Sequence, residues 1–276
     1  TESTRAKSYG MVGAAFGLGF IIGPAVGGLV ASLGVRAPFY TAAVLCLLNG
    51  LYGYFILPES LSIENRRKFS WKRANPFGAL KIFLSHPTVA RLAIVYFLIY
   101  LGAQAVQSTW SYFTMYRFGW NEKIVGISLA VVGILVAVVQ SVLVRVINPR
   151  IGNEKSIYIG LAFYTIGLFS FAFVSMGWMM FVFLIPYCLG GISGPALQSL
   201  ISVHVPKNQQ GELQGSLTSI MSVTSIIGPL VMTSLFAYFT KPSNPIYFPG
   251  ASFLLGAVFM IISAVFAYMV LNKETE

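Results

Sequence analysis

Polar side chains with the reach to hold a small molecule recur along one apolar stretch. Tyr96, Tyr100, Gln104, Gln107, Ser108 and Ser111 follow three- and four-residue steps, which sets them on one face of an α-helix. Gln140, Gln198 and Asn49 lie singly within other apolar runs. Amides, phenols and hydroxyls bind through hydrogen bonds and rings add contact area, so the chemistry on offer is recognition. Such groups are costly against lipid, so they meet either neighbouring helices, as interhelical glue, or a wet cavity. The cavity alternative selects Tyr100, Gln104, Gln107, Gln140 and Gln198 as substrate-binding residues. Trp110, beside the stripe, is then placed to stack on a planar ligand.

The groups that drive catalysis or carry protons are placed elsewhere. The chain has no Asp, and Glu2, Glu59, Glu64, Glu122, Glu154, Glu212, Glu274 and Glu276 all avoid the middles of the apolar runs. His86 falls in a hydrophilic stretch and His204 at the end of a run. No metal-ligand spacing, phosphate loop or nucleophile constellation occurs, so no catalytic or metal residue is assigned and the sequence argues against an enzyme. Cys46 and Cys188 sit inside apolar runs as small core residues rather than as a disulfide framework.

The elements that position these groups must cross a membrane. Hydrophobic residues make up 56% of the 276 residues and charged residues 9%, far below the share in soluble domains. Apolar runs predict spans at 8–33, 37–57, 89–115, 122–147, 155–174, 177–204, 212–238 and 247–271. The net charge of +10 is unevenly spread. Arg5, Lys7, the basic run from Arg66 to Arg73, Lys81, Arg91, Arg145, Arg150, Lys155, Lys207 and Lys273 fall on one side of the membrane. Arg36, Arg117, Lys123 and Lys241 fall on the other. Basic residues favour the cytoplasm, which predicts both ends there. The charge thus serves headgroups and orientation, not nucleic acid.

A glycine pattern marks the first span. In GMVGAAFGLGFIIGPAVGG, Ala15, Gly19, Gly23, Gly27 and Ala31 form a ridge of small residues, and Pro24 bends the helix. Such a ridge lets two membrane helices approach closely. The seventh span repeats part of it. Ile21-Ile22-Gly23-Pro24 returns as Ile226-Ile227-Gly228-Pro229, and Gly10 returns at the same offset as Gly215. A six-helix repeat follows, with its boundary in the basic connector 58–88. Residues 1–57 then end one six-helix bundle and 89–276 form the next. The chain starts at Thr1, and on this plan four helices, on the order of 130 residues, precede it.

Gly10, Gly19, Gly23, Pro24, Gly27 and Gly28 resemble the antiporter motif of major facilitator drug exporters, matching every fixed position. RFGWN (Arg117 to Asn121), GWM (Gly177 to Met179), PALQ (Pro195 to Gln198), QGELQGSL (Gln210 to Leu217) and TSIIGPL (Thr224 to Leu230) are similar to the tetracycline-exporter group. The resemblance covers the whole chain and implies an all-α polytopic membrane protein, the last eight of twelve major facilitator helices. It implies a drug/proton antiporter of the bacterial inner membrane, with the glycine motif sealing the cytoplasm-facing passage. Gln104, Trp110, Gln140 and Gln198 fall on residues shared by that group. The implied partners are a small-molecule substrate, protons, the bilayer and the preceding helices. No resident cofactor is implied; a divalent metal enters only with a tetracycline-like substrate. Two positions depart from the group's pattern. Tyr164-Thr165 stands where those exporters carry an acid, and Val136 where many carry a histidine. Two other functions remain open: a proton-independent metabolite facilitator, and a membrane interaction protein that keeps the fold without flux.

Overall fold

The computed structural model describes residues 36–58, 81–206 and 209–275, with scattered positions between 11 and 34. The described residues form helices and connecting turns, with no strand among them. Among the described residues seven helices are long and apolar enough to cross a membrane: α1 (Ala37–Ile56), α2 (Pro87–Phe118), α3 (Glu122–Ile151), α4 (Asn153–Phe173), α5 (Gly177–Val203), α6 (Gln210–Thr240) and α7 (Ala251–Thr275). These follow the expected spans with modest shifts at the ends. α2 begins earlier and ends later than its apolar run. α7 begins at Ala251 rather than 247, because the preceding residues are turns. The expected first span falls mostly outside the described residues, and Gly10, Pro24 and Gly28 lie outside them entirely. The basic connector is described only at its two ends.

Local sequence accounts for the helix ends. His86 precedes Pro87 at the first turn of α2, where a missing N–H costs nothing. At the other end Gly119 adopts a left-handed φ of 65°, and its N–H donates to the Met115 carbonyl at 3.0 Å. Asn121 then starts α3, its side-chain oxygen accepting the Ile124 N–H at 3.0 Å. RFGWN is therefore a stop and a start placed two residues apart. Trp120 between them packs on Gly177, whose absent side chain leaves room for the indole; a Cβ there would meet Nε1 at 2.7 Å. The GWM and RFGWN sequences thus meet in space.

The core lies between α2, α4 and α7, with α5 against α4 and α6 against α2. Glycines set how closely these helices approach. A Cβ on Gly256 would lie 2.9 Å from the Gly102 carbonyl oxygen, so α2 and α7 cross nearly backbone to backbone. On α4, Gly160 and Gly167 do the same for α5: a Cβ on either would come within 2.7 Å of backbone atoms of Ser193 or Tyr187. Hydroxyls add ties, with Ser263 donating to the Val95 carbonyl at 3.2 Å and Ser252 to that of Met232 at 2.7 Å. α1 differs from the rest: none of its residues is buried, and its Leu, Phe and Tyr side chains stand open.

Two helices are irregular inside. α3 winds as a π-turn over Val139–Leu143, and α5 as a 3-10 turn over Gly190–Ile192, four residues after Pro186. The two turns touch, and Val139, Val144 and Ile192 form a small apolar cluster there, apart from the main core. Irregular turns of this kind recur at functional sites.

Candidate functional site

The polar stripe of α2 is real, and most of it is occupied by neighbouring helices. Tyr96 is the hub. It is 1% exposed, yet its hydroxyl joins three helices: it accepts the Gln198 Nε2–H from α5 at 3.2 Å and donates to Met221 Sδ on α6 at 3.2 Å. Tyr100, one turn on and half-buried, packs its ring 4.5 Å from that of Tyr96. Gln104 is buried, and its Nε2–H donates to Ser225 Oγ on α6 at 3.3 Å. Ser108 folds back on the Gln104 carbonyl. Gln107 and Ser111, further along the same face, are exposed.

Gln140 and Gln198 reach this layer from other helices. Gln140 sits in the π-turn of α3 and donates from Nε2 to the Gly191 carbonyl in the 3-10 turn of α5, at 3.2 Å. A carbonyl only accepts, so this contact fixes which end of the amide is nitrogen and leaves Oε1 directed elsewhere. Tyr164 lies against the same turn, its ring filling the space that a side chain on Gly190 would need. The neighbourhood that the resemblance makes acidic therefore holds an aromatic ring, packed 5.3 Å from that of Tyr187, and Thr165, whose hydroxyl donates to the Leu161 carbonyl at 2.8 Å. Val136, half-buried on α3, packs on the main core.

Trp110 is not brought to this surface. It is 2% exposed, with Phe171 at 5.2 Å and Trp120 at 6.5 Å between ring centres. Its indole N–H donates to Ser128 Oγ at 2.9 Å, so neither a ring face nor the polar edge is open to a ligand. Asn49 stands exposed on α1. Of the glycine motif, Gly19, Gly23 and Gly27 are helical, and a Cβ at any of them would meet nothing within 4 Å among the described residues. Gly215 is equally open, whereas Gly228 is filled by Gln104.

Sequence reasoning passed over Met221 and Ser225. Met221 gave no signal, because a methionine in an apolar run reads as core. Ser225 stood in a run of hydroxyl residues with nothing to single it out. Tyr96 lay on the stripe, but its place at a three-helix junction depends on α5 and α6. Replacing Tyr96 with Phe deletes only the shared hydroxyl. It should lower the stability of the purified protein by about 1 kcal/mol, read as a fall in Tm in detergent.

Among the described residues no group of three or more His, Cys, Asp or Glu could hold a metal ion. What the layer offers a ligand is neutral hydrogen bonding between helices, at the side of α2 where Gln107 and Ser111 remain open.

The chain is 37% identical to the tetracycline resistance protein of class C from Escherichia coli, over 94% of this chain and 64% of that protein. It is 34% identical to the class G protein from Vibrio anguillarum, over 95% and 65%. The chain therefore spans just under two thirds of the length of these relatives. A human relative, hippocampus abundant transcript-like protein 1, is 29% identical over 98% of this chain and 57% of that protein. Among solved structures, the human organic anion transporter MFSD10 (TETRAN) matches with a TM-score of 0.81 over 97% of this chain and 64% of that chain. At 22% identity this likeness concerns the fold. With seven candidate membrane spans among its described residues, and matched over residues 1–229 by the family's sequence model, this multi-pass membrane chain belongs to the Major Facilitator Superfamily, a family of transporters rather than enzymes.

Proposed function

We propose that this chain is the larger part of a secondary transporter that exports a small drug-like compound, tetracycline-like in its chemistry, in exchange for protons. The observation that carries this reading is the neutral polar layer in which Tyr96, Gln104, Gln198 and Ser225 join α2, α5 and α6. Polar groups at such depth in a membrane are costly, and a substrate path between two bundles is a use that justifies them. The similarity to tetracycline resistance proteins supports the substrate class. In this reading Tyr100, Gln104, Gln107, Gln140 and Gln198 face the substrate, and Trp110 holds α2 to its neighbours behind them. Residues 1–57 end the first bundle, 58–88 link the two, and 89–276 form the second. Both ends of the chain are cytoplasmic, in the bacterial inner membrane. The glycine ridge of the first span seals against the other bundle.

Tyr164-Thr165 gives weight to a second reading. With a ring and a hydroxyl in the neighbourhood where the resemblance implies an acid, the chain fits a proton-independent facilitator as well. One experiment separates the two. Tetracycline accumulation is measured in cells expressing the gene, with and without a proton uncoupler. An antiporter lowers accumulation, and the uncoupler abolishes the effect. A facilitator gives flux that the uncoupler leaves unchanged. No flux of tetracycline or of unrelated cationic drugs, at normal membrane abundance, defeats both.

A further inference from the structure

We propose that Gly228 and Ser225 form a seat for Gln104, and that the Gly–Pro pair of α6 serves to hold this glutamine's amide. A Gly–Pro pair in a membrane helix ordinarily invites another backbone to approach. Here the space is taken by a side chain. A Cβ on Gly228 would lie 2.6 Å from Gln104 Cβ and 3.3 Å from its Cδ, with Cγ closer still. Carbon atoms pack at about 3.5–4.0 Å, so only the absence of a side chain on residue 228 admits the glutamine stem.

The head of the side chain is held by the same turn of α6. Ser225 Oγ accepts the Gln104 Nε2–H at 3.3 Å. Pro229 has no N–H, so the carbonyl of Ser225, four residues earlier, loses its usual helical donor. Glycine supplies room for the stem, and serine supplies an acceptor for the amide. Among the described residues, a Cβ at Gly19, Gly23, Gly27 or Gly215 would meet nothing within 4 Å, unlike one at Gly228.

Gly228 and Ser225 are thus positioning residues. They act through Gln104, and the inference rests on Gln104 facing the substrate as proposed above. A glutamine at a binding surface samples several rotamers, and ordering it costs binding energy unless the fold has already done so. Loss of the seat should weaken substrate binding and leave the maximal rate of transport intact.

Tetracycline export into inverted membrane vesicles tests this, with KM and maximal rate measured separately. Gly228→Ala and Gln104→Asn should each raise KM about five- to tenfold, the worth of one positioned hydrogen bond. The double variant should be no worse than either alone, because both break one arrangement. Effects that multiply in the double variant overturn the seat. A raised KM in Gln104→Asn beside an unchanged KM in Gly228→Ala overturns the seat alone. An unchanged KM in Gln104→Asn, or no tetracycline export by the parent, overturns the substrate role of Gln104 and the proposal with it. Should Gly228→Ala be lost from the membrane, Gln104→Gly is added to clear the three contacting carbons. Recovered abundance supports the seat, and continued loss overturns it.

Discussion

Trp110→Ala should cost about 3–5 kcal/mol and deplete the protein from the membrane, as expected for removal of a large buried aromatic. The indole is covered by Phe171 and Trp120 and tied to Ser128 Oγ, which itself donates to the Val125 carbonyl at 2.7 Å. Truncation opens a cavity between α2, α3 and α4 and removes the donor to Ser128 Oγ. Trp110→Phe keeps the packing and deletes one hydrogen bond, so it should lose about 1 kcal/mol. Membrane abundance and Tm of the purified variants check both figures. An alanine variant of normal abundance with a raised KM for export would instead make Trp110 a ligand contact.

The second large effect lies on α4. Gly167→Val should destabilise the protein by about 3 kcal/mol, because overpacking at this site has no soft neighbour to yield. A Cβ on residue 167 would meet Tyr187 N and Cα at 2.7 Å, and these are backbone atoms of α5. The helices would have to separate, carrying with them the 3-10 turn that Gln140 and Tyr164 hold. Gly126→Ala on α3 is the matched control. Nothing lies within 4 Å of its added Cβ, and in a helix interior alanine is preferred by roughly 0.5–1 kcal/mol. A Gly167→Val protein as thermostable as the Gly126→Ala control would refute the close packing of α4 on α5.

Membrane spans were the most legible part of the sequence, because length and apolarity alone specify them. α3 was readable as one helix, but its π-turn was not: Val139–Leu143 holds two polar residues but no glycine or proline to mark a change of winding. The interruption in α5 coincides with Gly190 and Gly191, since two adjacent glycines weaken any helix. The stripe on α2 was legible because its period is that of a helix. Which of its members would be buried was not, since that depends on α5 and α6, far away in sequence. Gln104 and Gln107 look alike in the sequence; one lies under Gly228 and the other stands open. Trp110 misled for a similar reason. It lies next to the stripe in sequence, but a helix turns about 100° per residue, so a neighbour in sequence falls on another face. The Gly228–Pro229 pair was read as an echo of the first-span motif. Its use differs because a glutamine, not a small residue, faces it.

The ties that join α2 to α5 and α6, and α3 to α5, share one property. They link amide, phenol, hydroxyl, thioether and backbone carbonyl groups, all uncharged across the ordinary range of pH. Acid does not protonate them away, and salt has no charge in them to screen. A frame held in this way keeps its strength on either side of a pH gradient. The contacts that join these helices at this layer are therefore the same whatever the pH on either side of the membrane.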